Sequence, residues 1–399
     1  MRKISTLLLI PFSSCIIYFF GVRPTPGPDL GRDFRIYQPT PWYWEQAVAR
    51  NRSVVPVRSV HDFKPDLQGK VAIVTGSSSG IGRAVAKELF LRGCAVVITS
   101  RSRQRSEKAA SDMVREVSER GVDQQSKARL VGVGFDLSDL EDVRKFVANF
   151  TEAFQRLDFL STNAGMTALL AGWSGPWESP QKYEMLYAAN YLGHFLLLQL
   201  LLPFLKKTPG ARVVATSSIM HWQHDSDLDS LLPSRNKKRS DEHAWPWTKL
   251  NQYGNTKLLQ VLMCFEMQRR IPEVPCVPVA PGLISTAIGN QKLQARDGVD
   301  QWIPVVSKSP FDGAQTTMHA LLASEEEGKN NTAGVFLQPY YSPLHFGRPL
   351  FPFGAVLWEP FTQHLMWGLH KWVAHADAYN RTFAEILWKE SMEACGLPN

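Results

Sequence analysis

Residues 71 to 82, VAIVTGSSSGIG, constrain this chain more than any other stretch. Four apolar, mostly β-branched residues read as a buried strand that runs straight into a glycine-rich loop. Beyond the loop, Arg83 to Gly93 has helical spacing, with Val85, Leu89 and Phe90 on one side and Gly93 as a stop. Strand, glycine turn and helix make the opening of a βαβ unit. Gly76, Gly80 and Gly82 carry no Cβ, so the main chain can turn tightly and approach a pyrophosphate. The helix that follows directs its free N–H groups and positive dipole end at that anion. The spacing, Gly-x-x-x-Gly-x-Gly, is one residue more open at its start than Gly-x-Gly-x-x-Gly.

The alternation continues. Ala95 to Ser100, Arg129 to Phe135, Leu157 to Thr162, Ala211 to Thr216, Val274 to Ala280 and Gly334 to Leu337 read as further strands. Helical patterns separate them, at about 105–120, 139–154, 183–205, 251–270 and 309–323. Strands spaced by helices demand right-handed crossovers and a parallel, doubly wound α/β sheet of the Rossmann kind, with about seven strands. Pro278 falls inside the sixth strand and removes a ladder donor, which predicts a bulge or a late pairing there.

With 399 residues, one α/β domain plus extensions fits better than two full domains. The domain is placed at 69–339 and completed by 340–399. Residues 1–21 precede it as a hydrophobic segment and 22–68 as a linker. Ile4 to Phe20 is apolar behind Arg2 and Lys3, close to the lower limit for crossing a bilayer. A signal anchor, a cleaved signal peptide and a surface anchor compete; no small-x-small site follows Phe20, which favours a retained membrane anchor. Pro24, Pro26, Pro28, Pro39, Pro41, Pro56 and Pro65 block long regular elements in the linker. The net charge of +7 has no long basic run, so it reads as weak attraction to anionic membrane surfaces and not as nucleic-acid binding. The five cysteines are scattered, with neither metal-ligand spacing nor a disulfide framework, and no metal is expected. Tyr340 to Val373 is rich in aromatics and broken by four prolines. It reads as a hydrophobic lid, a membrane-dipping loop, a surface for a homodimer or a flap of the core.

The second strand of a dinucleotide fold often ends in an acid that holds the adenosine ribose of NAD. Here it ends Thr99-Ser100-Arg101, and Arg83 follows the last loop glycine. Arg83 and Arg101 can flank a 2′-phosphate, which points to NADP(H); a solvated basic edge is the alternative. Tyr253-Gly-Asn-Thr-Lys257 opens a predicted helix, where four-residue spacing puts phenol and ammonium side by side. The cation is expected to favour the phenolate and lower the Tyr253 pKa, giving an acid–base group for near-neutral pH. Ser217-Ser218 ends the fifth strand, where such sheets bind ligands, and Asn190 lies in the long helix after the fourth.

Thr75-Gly-x-x-x-Gly-Ile-Gly82, Asp136, Asn163-Ala-Gly165, Asn190, Ser218, Tyr253-x-x-x-Lys257 and Pro281-Gly282 occur in that order. The ordered set resembles the short-chain dehydrogenase/reductase family over roughly 69–337, with a weaker match at 384–391. The resemblance implies an oxidoreductase in which Tyr253 exchanges a proton with a carbonyl or alcohol and Ser218 binds the substrate oxygen. It implies that Lys257 holds the nicotinamide ribose and that Asn190 positions a water. Cofactor contacts are implied at Thr75, Gly76, Ser78, Ser79, Gly80, Ile81 and Gly82, and at Asp136, Leu137, Asn163, Ala164 and Gly165. Pro281, Gly282 and Thr286 are implied to border the nicotinamide. Thr162 stands where the family usually has asparagine, and Ser218 is thirty-five positions from Tyr253. That long segment, His221-Trp222, Asn190-Tyr-Leu-Gly-His-Phe195 and Gly313-Ala-Gln-Thr-Thr317 resemble the retinol dehydrogenase and WW-domain oxidoreductase branch. The branch implies a lipophilic alcohol or ketone as substrate (retinoid, steroid or polyprenoid) at an endoplasmic reticulum or related membrane. Sterol-pathway ketosteroid reductases are a second neighbour, and a membrane-bound nucleotide-binding scaffold is the alternative of another class.

Overall fold

β1 forms at Val71–Val74, with all four apolar side chains buried, as a strand covered on both faces requires. In the computed structural model the chain then alternates as its periodicity predicts. The structure describes residues 65–119, 129–167, 178–222, 224–225, 227–236, 246–282, 284, 309–322 and 376–398. The elements are α1 at Gly80–Leu91, β2 at Ala95–Ser100, α2 at Arg103–Ser118, β3 at Leu130–Gly134, α3 at Leu140–Ala153 and β4 at Phe159–Thr162. A helix, α4, then runs Met185–Lys207 with a π turn at Ala188–Leu192. After it come β5 at Arg212–Thr216, the short α5 at Pro233–Asn236, α6 at Pro246–Arg270, β6 at Cys276–Val279, α7 at Pro310–Leu322 and α8 at Arg381–Ala394. The hydrophobic segment Ile4 to Phe20, the seventh strand expected at 334–337, the aromatic stretch 340–373 and Thr286 lie outside the described residues.

The six strands among the described residues are all parallel, in the order β3-β2-β1-β4-β5-β6. The order reverses between β1 and β4, and the C-terminal ends of those two strands frame the crevice where such sheets bind ligands. Asp158, 1 % exposed, accepts the Val71 N–H at 2.9 Å and pairs with Lys70 and Arg156, which pins β4 to the start of β1. Gly132 and Gly134 sit in β3 because α2 crosses it backbone to backbone. A Cβ on Gly132 would stand 2.6 Å from the Glu107 Cα, and one on Gly134 would stand 2.7 Å from the Arg103 Cα.

Pro278 makes no bulge. It pairs in register with Ala215. In a parallel ladder alternate residues bond to one neighbour. On this side Pro275 and Val279 accept from Val213 and Ser217, so the missing donor of Pro278 faces away from β5.

One face of the sheet is packed by α3, α4, α6 and α8, and the other by α1, α2 and α7. Met185–Lys207 is long and apolar enough to span a bilayer, yet 67 % of its most apolar window is buried inside the protein. It is a core helix, carrying Leu192, Phe195, Leu196, Leu197 and Leu198 at 0 % exposure. Each such side chain stabilises the fold by about 1.5–3 kcal/mol. α8 closes this face: Trp388 meets Phe195 edge-on at 5.1 Å, and the Tyr191 and Ser391 hydroxyls are 2.9 Å apart.

Glu184 caps the start of α4, accepting from the N–H groups of Leu186 and Tyr187 at 2.9 and 2.8 Å. Burial raises its pKa to about 7 against the opposing pull of those two bonds. The folded chain therefore holds this proton more tightly than the unfolded one. Stability from this group is full below pH 4.5 and is lost as pH rises to about 7, by about 3 kcal/mol in all. The difference in unfolding free energy between wild type and Glu184→Gln should change by that amount between pH 4 and 8; a flat difference contradicts this account.

Candidate active site

Between β1 and α1 the glycine loop is held by its neighbours. Ser77 Oγ donates to Val74 O at 2.6 Å and accepts the Thr99 N–H at 3.0 Å. Thr75 Oγ1 accepts the Ala164 N–H at 2.9 Å, and Asn163 Nδ2 donates to Thr75 O at 3.0 Å. The loop after β1 and the end of β4 are thus sewn together. Gly76 has φ +64°, and a Cβ on it would lie 2.8 Å from the Ala164 Cα. A Cβ on Gly82 would lie 2.7 Å from Gly76 O and collide with Asn163 Nδ2. Ser79 precedes the first turn of α1 without a side-chain cap, so the helix N–H groups stay directed at the loop.

The neighbouring loops complete the wall. Asp136 Oδ1 accepts from the Ser138 N–H and hydroxyl at 2.9 and 2.8 Å, turning the chain at buried Leu137. Pro281 is buried, and Gly282 has φ +90°. Arg101 is exposed beyond β2. Arg83 pairs with Glu116 on α2 at 2.5 Å, and Lys87 pairs with the same carboxylate at 2.5 Å, which holds the Glu116 pKa down at about 2.

α6 carries the chemistry. The Ser218 side chain is the polar group that acts on the Tyr253 phenol. Ser217 Oγ instead donates to Lys257 O at 2.7 Å, a bond inside the fold. Lys257 Nζ lies 5.5 Å from the centre of the Tyr253 ring and donates to Thr216 O at 2.8 Å and Gln260 Oε1 at 3.3 Å. Asn190 sits in the π turn, a common companion of functional sites. Its amide spans the Met166 main chain, accepting from N–H at 2.8 Å and donating to O at 3.0 Å, and bonds Thr256 at 3.1 Å. A Cβ on Gly165 would lie 3.4 Å from Lys257 Nζ and 3.7 Å from Asn190 Oδ1. Asn190, Ser218, Tyr253, Lys257 and Gly165 therefore gather at the C-terminal ends of β4 and β5, beside the glycine loop.

The electrostatics differ from the sequence expectation at Tyr253. Burial pushes its phenol up to about 12, opposed only by the Ser218 side chain. Lys257 does not lower it. The ammonium is itself buried and brought down to about 7, and both of its acceptors are uncharged oxygens.

His194, Thr256, Gln260 and Ser77 belong to the site, and motif spacing alone does not single them out. His194 is fully buried between Thr75 Oγ1 (2.9 Å from Nε2) and Asn190 O (3.0 Å from Nδ1). A carbonyl only accepts, so Nδ1 carries the proton and Nε2 takes the Thr75 hydroxyl. Burial lowers this imidazole to about 4, so it stays neutral.

A dinucleotide fits this cradle. Thr162 Oγ1 and Thr216 Oγ1, at the C-terminal ends of β4 and β5, are buried without a partner, and Gly76 and Gly82 pack so closely on Ala164 and Asn163 that a Cβ would not fit.

Comparison with known proteins agrees with the geometry. The short chain dehydrogenase family model matches residues 70–225. Human retinol dehydrogenase 14 is 32 % identical over 275 residues, covering 66 % of this chain and 76 % of that protein. The WW domain-containing oxidoreductase of Danio rerio is 31 % identical over 305 residues, 74 % of this chain and 68 % of the relative. Among solved structures, an uncharacterised protein of Mycobacterium paratuberculosis superposes with a TM-score of 0.55 at 23 % identity, covering 85 % of this chain and 98 % of the other. A Pseudomonas aeruginosa protein solved as an NADP complex gives 0.51 at 20 % identity, covering 70 % and 98 %. These two likenesses concern the fold.

Proposed function

The chain belongs to the short-chain dehydrogenase family, in the branch of the retinol dehydrogenases and the WW domain-containing oxidoreductase, and on that footing we propose that it is an NADP(H)-dependent oxidoreductase of lipophilic alcohols and ketones. The observation that carries the reading is the pairing of Tyr253 with Ser218, with Lys257 one turn further along α6 and its Nζ 5.5 Å from the Tyr253 ring. A phenol held near 12 keeps its proton across the physiological range, which is the state a carbonyl reduction needs. Ser218 and Tyr253 both hydrogen-bond the substrate oxygen, and Tyr253 gives it a proton. When bound, the nicotinamide supplies the hydride. Gly76, Gly80 and Gly82 hold the pyrophosphate against the start of α1, with Thr75, Ser78, Ser79, Ile81, Asn163 and Ala164 around it. Lys257 and Gly165 face the ribose, Asp136 and Leu137 the adenine, and Pro281, Gly282 and Thr286 the nicotinamide. Retention at an endoplasmic reticulum or related membrane through Ile4 to Phe20 belongs to the same reading, because a lipophilic substrate reaches the site from a bilayer.

Arg101, exposed at the end of β2, supports NADP(H) over NAD(H). Arg83 joins it at the 2′-phosphate while anchored on Glu116. A charge-assisted bond of about 1.5–3 kcal/mol predicts that Arg101→Ala weakens NADPH binding about 10- to 100-fold and leaves NADH binding nearly unchanged. Titration of both nucleotides checks this, and tighter binding of NADH by the wild type overturns the assignment. Membranes containing the protein, supplied with NADPH and a series of retinoid, steroid and polyprenoid carbonyls, test the function. NADPH consumption with at least one is expected; none with any of them counts against the proposal.

A further inference from the structure

The π turn in α4 has a second consequence. The Gly193 N–H bonds to Ala188 O, five residues back, so the turn contains one residue more than an α-helical ladder can pair. Side chains converge on the carbonyl of Asn190 inside that turn. Gln260 Nε2 donates to it at 2.6 Å and His194 Nδ1 at 3.0 Å. The other end of the Gln260 amide, Oε1, accepts from Lys257 Nζ at 3.3 Å. This orientation is forced, because an ammonium only donates and a carbonyl only accepts. Gln260 is fully buried.

We propose that Gln260 is a positioning residue for the Tyr253–Lys257 pair: its carboxamide ties the Lys257 ammonium to the Asn190 carbonyl and so fixes the direction in which that ammonium presents its remaining N–H. Two of the three N–H bonds of Lys257 are taken by Thr216 O and Gln260 Oε1. The third is left for the side of Gly165, where the ribose lies in the proposed function, on which this inference rests. Both lone pairs of the Asn190 carbonyl are used by Gln260 and His194. The belt from Lys257 through Gln260, Asn190 and His194 to Thr75 therefore joins the acid–base pair to the cofactor loop by direct side-chain contact.

The surroundings make Lys257 sensitive to this one contact. Tyr253 is the titratable neighbour on its own helix. The elements packed against α6 bring His194 from α4, His221 after β5, Cys276 on β6, and Asp377 and Glu385 at the C-terminal end. His194 is neutral, Cys276 faces Cys264, Asp377 pairs with His224 and Glu385 with Arg269. Among the described residues no carboxylate lies within ion-pair distance of Lys257.

Gln260→Leu and the isosteric Gln260→Glu separate positioning from packing. Leucine removes an acceptor from the ammonium, so Lys257 should titrate about one unit lower; glutamate adds an opposite charge and should move it about one unit higher. Turnover from pH 5 to 10 should show its lysine-dependent limb move in these opposite directions, with kcat of the leucine variant down about tenfold and KM changed less than twofold. Melting temperature is measured alongside. A limb that stays at its wild-type pH in both variants, whatever the melting temperature does, overturns the proposal. If leucine prevents folding, glutamate alone decides. If wild type turns over no substrate, the function reading fails separately, and NMR titration of 13Cε-labelled Lys257 in wild type and Gln260→Glu still decides whether Gln260 sets the ammonium; an unmoved titration refutes it.

Discussion

Replacing Tyr253 with phenylalanine should lower kcat by about 10²–10⁴-fold, the range contributed by a positioned proton donor. One oxygen is removed. The ring stays, so its place beside Lys257 Nζ at 5.5 Å is kept, and apart from Lys257 the nucleotide cradle lies on other elements. NADPH binding should therefore change less than twofold. The Ser218 hydroxyl loses one partner but also accepts the Met220 N–H at 3.2 Å, so the fold should lose no more than about 1 kcal/mol. A loss in kcat with intact NADPH affinity is the signature of an interaction used in the transition state and not in binding. Unchanged turnover of every lipophilic substrate that the wild type accepts would refute the role of the phenol and leave the scaffold reading standing.

Gly82→Ala should have the second large effect, on cofactor affinity and on stability together. Its new methyl would lie 2.7 Å from Gly76 O and 3.1 Å from Gly76 C while striking Asn163 Nδ2. Asn163 can rotate only by giving up its 3.0 Å bond to Thr75 O, and Gly76 cannot retreat because Ala164 stands behind it. The loop must therefore open, and opening it moves the N–H groups that would hold the pyrophosphate. We expect NADPH affinity to fall at least ~100-fold and stability by about 2–4 kcal/mol, the usual range for forced overlap and a broken buried bond. Gly69→Ala is a control for backbone strain without overlap. Gly69, unlike Gly82, has φ +75°, and a methyl there meets nothing within 4 Å. It should cost only the backbone strain, about 1–2 kcal/mol, and leave NADPH binding untouched. Equal loss of affinity in both variants would show that overlap in the cradle is not what sets cofactor affinity.

How much of this was legible in the sequence depends on the range of the interaction. Local patterns carried well. Val71–Val74 and Ala95–Ser100 fall where alternation and β-branching put them, and the helices differ from their periodicity by a few residues at each end. The ordered motif placed Asn190, Ser218, Tyr253 and Lys257, and the fold brings their elements to one crevice. Long-range pairing was not legible. Arg83 looked free to meet a phosphate, and only folding sets Glu116 against it, thirty-three residues on. The π turn has no compositional mark, so neither Gln260 nor His194 could be tied to Asn190 from spacing. The Tyr253 pKa went the other way because charge proximity is visible in a Tyr-x-x-x-Lys motif and burial is not. Pro278 misled for a geometric reason: a sequence shows the missing donor but not the side on which it falls.

The way α8 closes the core bears on how the chain is made. Its Trp388 rests on Phe195 and under the Arg270 guanidinium at 5.3 Å, and its Ser391 meets Tyr191, residues synthesised well over a hundred positions earlier. Before α8 has emerged from the ribosome, α4 and the catalytic helix α6 have their partners in the sheet but lack this last cover. The apolar side of both stays wet until α8 has left the exit tunnel, so the active-site helix is consolidated only after α8 has emerged. A ribosome-stalled chain ending before Arg381 should accordingly hold a sheet yet remain a substrate for chaperones that bind exposed apolar surface.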